Sequence, residues 1–85
     1  PAILMPYYDA DSFHKYVNGS YNSIENIYYV PCNIKDYVSQ VSFIFGGISY
    51  NIDPSELILQ YDKDNHQCIS GVQSAYITEY DTWVV

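Results

Sequence analysis

The sequence predicts a mostly β fold with one short helix near residues 9–17. Three observations carry this. Val41, Phe43 and Phe45 alternate with Ser42 and Ile44, and beyond Gly46-Gly47 the same step continues through Ile48, Tyr50 and Ile52. A side-chain period of two belongs to a strand, and a Gly-Gly pair between two such runs marks a hairpin, because glycine supplies the positive φ of a primed turn. Aromatic residues make up 18% of the chain and eleven of them are tyrosines, which favours pleated, half-buried surfaces over helices. Helical spacing occurs once, at Ala10, Phe13 and Val17.

In chain order, Ala2-Ile3-Leu4-Met5 is a short apolar strand halted at Pro6. Asp9 or Asp11 is placed to cap the helix, and Asn18-Gly19 stops it, since both residues tolerate left-handed dihedrals. Ile27 to Val30 is a β-rich run ending at Pro31-Cys32. After the Gly-Gly hairpin, Asp53-Pro54-Ser55-Glu56 reads as a single helical or 3₁₀ turn, and Leu57 to Tyr61 as a strand. Asp62 to Asn65 is a polar loop, Gln67 to Ala75 one continuous strand carrying Cys68, and Trp83-Val84-Val85 the start of another.

With 85 residues, 48% of them apolar, the chain is not disordered, but a core this small is marginal without a staple or a partner. Ten acids stand against three lysines and no arginine, for a net charge of −7. That removes the basic footprint a nucleic-acid binder needs and disfavours an anionic membrane surface. It also suits acidic surroundings, where the carboxylates protonate and few positive charges remain to repel one another. No apolar run is long enough to span a bilayer.

Cys32 and Cys68 include no C-x-x-C pair, so they form either one disulfide or two free thiols. Asn18-Gly19-Ser20 is an N-glycosylation sequon. Together with the acid bias and the paired cysteines it points to secretion. The chain opens on Pro1 without methionine or a signal peptide, and both ends are apolar. The expectation is a processed product or a fragment, an incomplete unit over residues 1–85 with no second domain.

Single motifs do not assemble an active site. Asp62 to Asn65 opens like a calcium loop, but the sixth position is Gln67 and the twelfth Gln73. Asp9, Asp11 and His14 form a helix-start cluster whose acids complement the helix dipole, rather than a metal set. Ser70 lacks the G-x-S-x-G setting of a nucleophile, and the sequence places neither His14 nor His66 beside it. Glu79 and Asp81 read as a solvated acidic turn. No metal, cofactor or phosphate-binding motif is present.

The order of features is more informative. Val41-Ser42-Phe43-Ile44-Phe45-Gly46-Gly47, then Asp53-Pro54-Ser55 and Leu57-Ile58-Leu59-Gln60, resembles the C-terminal β-barrel lobe of pepsin-like aspartic proteases. Cys68-Ile69-Ser70-Gly71-Val72-Gln73 looks like that family's Cys-Ile-x-Gly strand, and Val30-Pro31-Cys32 resembles the strand with the partner cysteine. Ala2 to Pro6 is similar to the run after the second Asp-Thr-Gly-Thr, and Trp83-Val84-Val85 to the run before a Gly-Asp step. The resemblance implies a Cys32–Cys68 disulfide and unprimed substrate subsites lined by Gln73, Ala75 and Ile77. It also implies a secreted or vacuolar parent endopeptidase that acts on peptide or protein substrates with a second, N-terminal lobe. No Asp-Thr-Gly or Asp-Ser-Gly occurs in these residues, so no catalytic residue is assigned and this chain alone is expected to be inactive. The alternatives are a small, secreted, disulfide-stapled β module that binds a partner through its tyrosines, or a non-catalytic relative of that family.

Overall fold

The computed structural model describes residues 2–62, 64 and 66–75, the Phe45 side chain excepted. Strand β1 (Ile3–Met5) leads through Pro6 into helix α1 (Tyr7–Tyr16). Neither Asp9 nor Asp11 caps the helix, which begins two residues earlier than the sequence suggests. Pro6 is itself the N-cap: it is extended (φ −55°, ψ 151°), and its carbonyl accepts the N–H groups of Asp9 and Ala10. Asp9 therefore lies in the first turn, where its charge complements the dipole, and Asp11 pairs with Lys15 one turn on, at 3.0 Å.

The helix stops where Asn18-Gly19 predicts. Asn18 turns left-handed (φ 62°), and the Gly19 N–H reaches back to the His14 carbonyl at 2.6 Å, the closure of a Schellman motif. Gly19 is needed for space: a Cβ there would stand 2.7 Å from His14 Cδ2 and 2.8 Å from the Tyr29 carbonyl oxygen.

Strands β2 (Ser20–Asn22) and β3 (Ile27–Pro31) form a hairpin that the sequence announced only in its second strand. Asn22 organises its turn, because Oδ1 accepts the N–H groups of Ile24 and Glu25. A 3₁₀ turn, Ile34–Asp36, follows and buries Ile34 completely.

Strands β4 (Val41–Phe45) and β5 (Ile48–Ile52) pair in the expected register, with Phe45 opposite Ile48. This leaves Gly46 and Gly47 as a two-residue turn, both at positive φ (56° and 81°). The base of this hairpin packs inward through Phe43, Val41 and Ile52, while Ile44, Ile48 and Tyr50 are exposed. Asp53 then caps the 3₁₀ turn Pro54–Leu57, accepting from the Ser55 N–H at 2.9 Å and from its hydroxyl at 2.7 Å. Those bonds hold the Asp53 carboxyl below its ordinary value.

Strand β6 (Ile58–Gln60) follows, shorter than expected because Leu57 closes the 3₁₀ turn. The single strand expected over Gln67–Ala75 is two: β7 (Gln67–Ser70) and β8 (Val72–Ser74). They separate at Gly71, whose N–H goes to the Leu57 carbonyl (2.6 Å) while its own carbonyl accepts the Ile3 N–H (2.7 Å). The chain thereby leaves one sheet and enters another.

Three sheets result: an antiparallel one ordered β2-β3-β7-β6, a parallel β1-β8 pair and the β4-β5 hairpin. The fold is mostly β with one short helix, as the sequence predicts, but the described strands do not close into a barrel because the three sheets share no ladder. Two apolar clusters fill the interior. One gathers Met5, Ala10, Tyr28, Phe43, Leu57 and Val72, the other Val17, Val30, Ile34 and Cys68, and Phe13 packs against both.

Cys32 and Cys68 are joined in a disulfide (Cα–Cα 5.1 Å). It ties the end of β3 to β7 inside the second cluster, so the staple reinforces pairing that the ladder already makes. Replacing both cysteines by alanine is expected to lower unfolding free energy by about 2–4 kcal/mol. Urea denaturation of oxidised protein and of the double variant checks this, and a loss under 1 kcal/mol would contradict it.

Candidate functional site

The residues expected to face substrate lie on and beyond β8. The strand runs parallel to β1 with Ile3, Leu4 and Met5 opposite Val72, Gln73 and Ser74, and the Ala75 N–H continues the ladder to the Met5 carbonyl at 3.1 Å. Gln73 and Ala75 are both half-buried. Ile77 lies outside the described residues, as do Glu79, Asp81 and the Trp83 run.

The Gln73 side chain is fully engaged. Its Oε1 accepts the Tyr28 N–H (2.9 Å), and its Nε2 donates to the Tyr28 carbonyl (3.0 Å) and to the Ser70 carbonyl (2.8 Å). The amide thus pairs with Tyr28 as a neighbouring strand's peptide group would, and joins β8 to β3 where no ladder does. Both donors are spent inside the protein, so this amide has none left for a ligand in the described arrangement.

Beneath β8 lies a second polar chain. His14 sits on the helix face with Ala10, Phe13 and Val17, and is only 2% exposed. Its Nδ1 lies 2.6 Å from the Ala10 carbonyl, so Nδ1 carries the hydrogen; Nε2 lies 2.8 Å from Ser70 Oγ and accepts from it. Ser70 Oγ in turn accepts the Val72 N–H at 3.0 Å. The imidazole stacks on Tyr28 with centroids 4.1 Å apart and planes 13° from parallel. Burial holds the His14 pKa below its ordinary value, against the opposing pull of the Ala10 carbonyl and the Asp11 carboxylate. Burial likewise pushes the Tyr28 hydroxyl up to about 12, with Asp11 adding to it. That hydroxyl meets no hydrogen-bond partner among the described residues.

A serine hydroxyl bonded to a histidine is the geometry of an activated nucleophile. Here it does no such work. Ser70 is wholly buried, so no acyl group can reach Oγ, and a peptide carbonyl, not a carboxylate, orients the ring. The sequence left His14 and Ser70 unconnected. The available signal was the helix stripe, since His14 completes the i, i+3, i+4, i+7 set begun by Ala10. His14 thus points into the interior, although Asp11 of the helix-start cluster still bears on it electrostatically.

Asn18, the sequon residue, is exposed at the helix C-terminus, as is Ser20. A polar hollow of about 340 Å³ lies nearby, lined by Tyr21, Asn22, Glu25, Tyr29, Asp62 and Gln67 among others. The Tyr29 hydroxyl donates to Glu25 there at 2.7 Å, which raises its pKa.

The whole chain apart from its first residue, residues 2–85, matches the family model of the eukaryotic aspartyl proteases. The β-rich architecture and the Cys32–Cys68 link agree with that match. The chain belongs to the eukaryotic aspartyl protease family. No individual curated protein matches it significantly. Among the described residues no helix is long and apolar enough to cross a membrane.

Replacing Gln73 by leucine strands one N–H and two carbonyls in a half-buried setting, and is expected to cost about 1–3 kcal/mol. Gln73→Glu is expected to cost more at pH 7 than at pH 4, because the ionised carboxylate would face the carbonyls of Tyr28 and Ser70. Denaturant unfolding of both variants at the two pH values checks this, and equal losses for Gln73→Glu would contradict it.

Proposed function

We propose that residues 1–85 are an incomplete C-terminal-lobe segment of an acid endopeptidase that hydrolyses peptide bonds in protein substrates. The single observation that carries the reading is the family match across residues 2–85. In the chemistry proposed for the parent, two aspartates share one proton and activate a water, because two carboxylates so close do not both ionise. Neither aspartate comes from this segment, which holds no Asp-Thr-Gly or Asp-Ser-Gly. Its proposed contribution is the frame, in which β1 and β8 run side by side, and Gln73, Ala75 and Ile77 as residues lining the unprimed subsites.

The acidic composition, the disulfide and the Asn18 sequon support a secreted or vacuolar location of low pH, with a glycan on Asn18. The N-terminal lobe is the proposed structural partner.

The test is to purify the protein at its natural length and measure digestion of a denatured protein substrate between pH 3 and 7. The expected result is a mass several times 9.8 kDa, cleavage strongest in acid and lost on Asp→Asn substitution in the parent's catalytic motif, and no cleavage by the 85 residues alone. A natural product of 9.8 kDa without peptidase activity would overturn the reading and favour a disulfide-stapled binding module.

A further inference from the structure

Among the described residues the buried polar side chains are His14 and Ser70, and they bond each other. The chain of bonds through His14 crosses three elements, and its central link changes with protonation. Val72 N–H donates to Ser70 Oγ, Ser70 O–H to His14 Nε2, and His14 Nδ1–H to the Ala10 carbonyl. Every donor in this series has one acceptor only while the imidazole is neutral. A proton on Nε2 reverses the central link. Ser70 Oγ would then face two donors, its own hydrogen would lose its acceptor, and Ser70 is completely buried. A buried donor without an acceptor is costly, and so is a cation in an apolar setting.

Among the described residues the surroundings offer the cation little. The His14 ring lies against Phe13 (centroids 5.0 Å) and Tyr28 (4.1 Å). From its own helix, Asp11 is the charged group that bears on it, and Lys15 already pairs with that carboxylate. From β3 comes the Tyr28 phenol, with Tyr21 of β2 behind it at 4.7 Å. From β7 and β8 come Ser70 and Val72, neither of which ionises.

We propose that the Ala10–His14–Ser70–Val72 chain is a proton-sensitive clasp that fastens α1 to β7 and β8 when His14 is neutral and lets go when His14 is protonated. The inference does not rest on the proteolytic reading. Its sign follows from linkage. A histidine held neutral by folding stabilises fully above the unfolded value of about 6.5. That stabilisation is lost as pH falls from there through the folded-state value, the unfolded chain binding the extra proton in between.

The test uses the natural-length protein. Its His14 Cε1–H resonance, assigned through its through-space contacts to the Tyr28 and Phe13 rings, is followed by NMR from pH 8 to 4, and unfolding is measured over the same range. The expected His14 midpoint lies below 6.5. The Val72 amide is expected to shift and to exchange faster with that same midpoint. Between about 6.5 and the midpoint the folded-to-unfolded ratio should fall with pH, by at most about tenfold per pH unit, and His14→Gln should remove that component. A His14 midpoint at or above 6.5, or a Val72 amide that keeps its shift and protection as His14 titrates, would overturn the proposal. Both readouts come from protein with native His14, so they decide the matter even if His14→Gln fails to fold.

Discussion

The structure turns on the corner Ser70-Gly71-Val72-Gln73. Four consecutive residues there hold four separate elements. Ser70 takes hold of α1 through His14, and Gly71 joins the 3₁₀ turn through Leu57 and β1 through Ile3. Val72 begins the parallel pairing with β1, and Gln73 reaches across to β3 at Tyr28. Space is tight at Gly71, where a Cβ would stand 3.1 Å from the Leu57 carbonyl oxygen, so a larger residue there would need the 3₁₀ turn to shift by a few tenths of an ångström. At the corner one stretch of strand supplies two sheets, β7 pairing with β3 and β8 with β1. Side-chain amides and hydroxyls satisfy the backbone groups that the change of sheet would otherwise leave unpaired.

What was legible in the sequence follows from which forces are local. The Gly46-Gly47 hairpin was readable because primed turns need positive φ, at both central positions in the type I′ form found here, and glycine provides it. The helix stop at Asn18-Gly19 and the 3₁₀ turn after Asp53 were readable for similar reasons, since each is closed by groups within a few residues. The start of the helix was misread because acids at positions 9 and 11 look like caps. Pro6 had already set the entry with its fixed φ and free carbonyl. The break at Gly71 was invisible, because only Leu57 and Ile3, distant in sequence, reveal that the strand changes partner there.

The candidate site divides in the same way. The cysteine pairing was implied by resemblance, and the structure contains it. His14 and Ser70 are 56 positions apart, and no spacing rule links a helix residue to a strand residue at that distance. Gln73 was assigned to a substrate subsite by resemblance alone, and its amide bonds the protein backbone. The polar side chains of His14, Ser70 and Gln73 serve first to hold a frame, and the proteolytic role is proposed for a larger parent protein.

Native-state hydrogen exchange at neutral pH tests the primacy of the corner most directly. The account predicts that the amides of Tyr28, Gly71 and Val72 exchange only through global unfolding, while those of the more exposed β4-β5 hairpin exchange earlier through local opening. Corner amides that exchange by local opening, as fast as those of the hairpin, would contradict it.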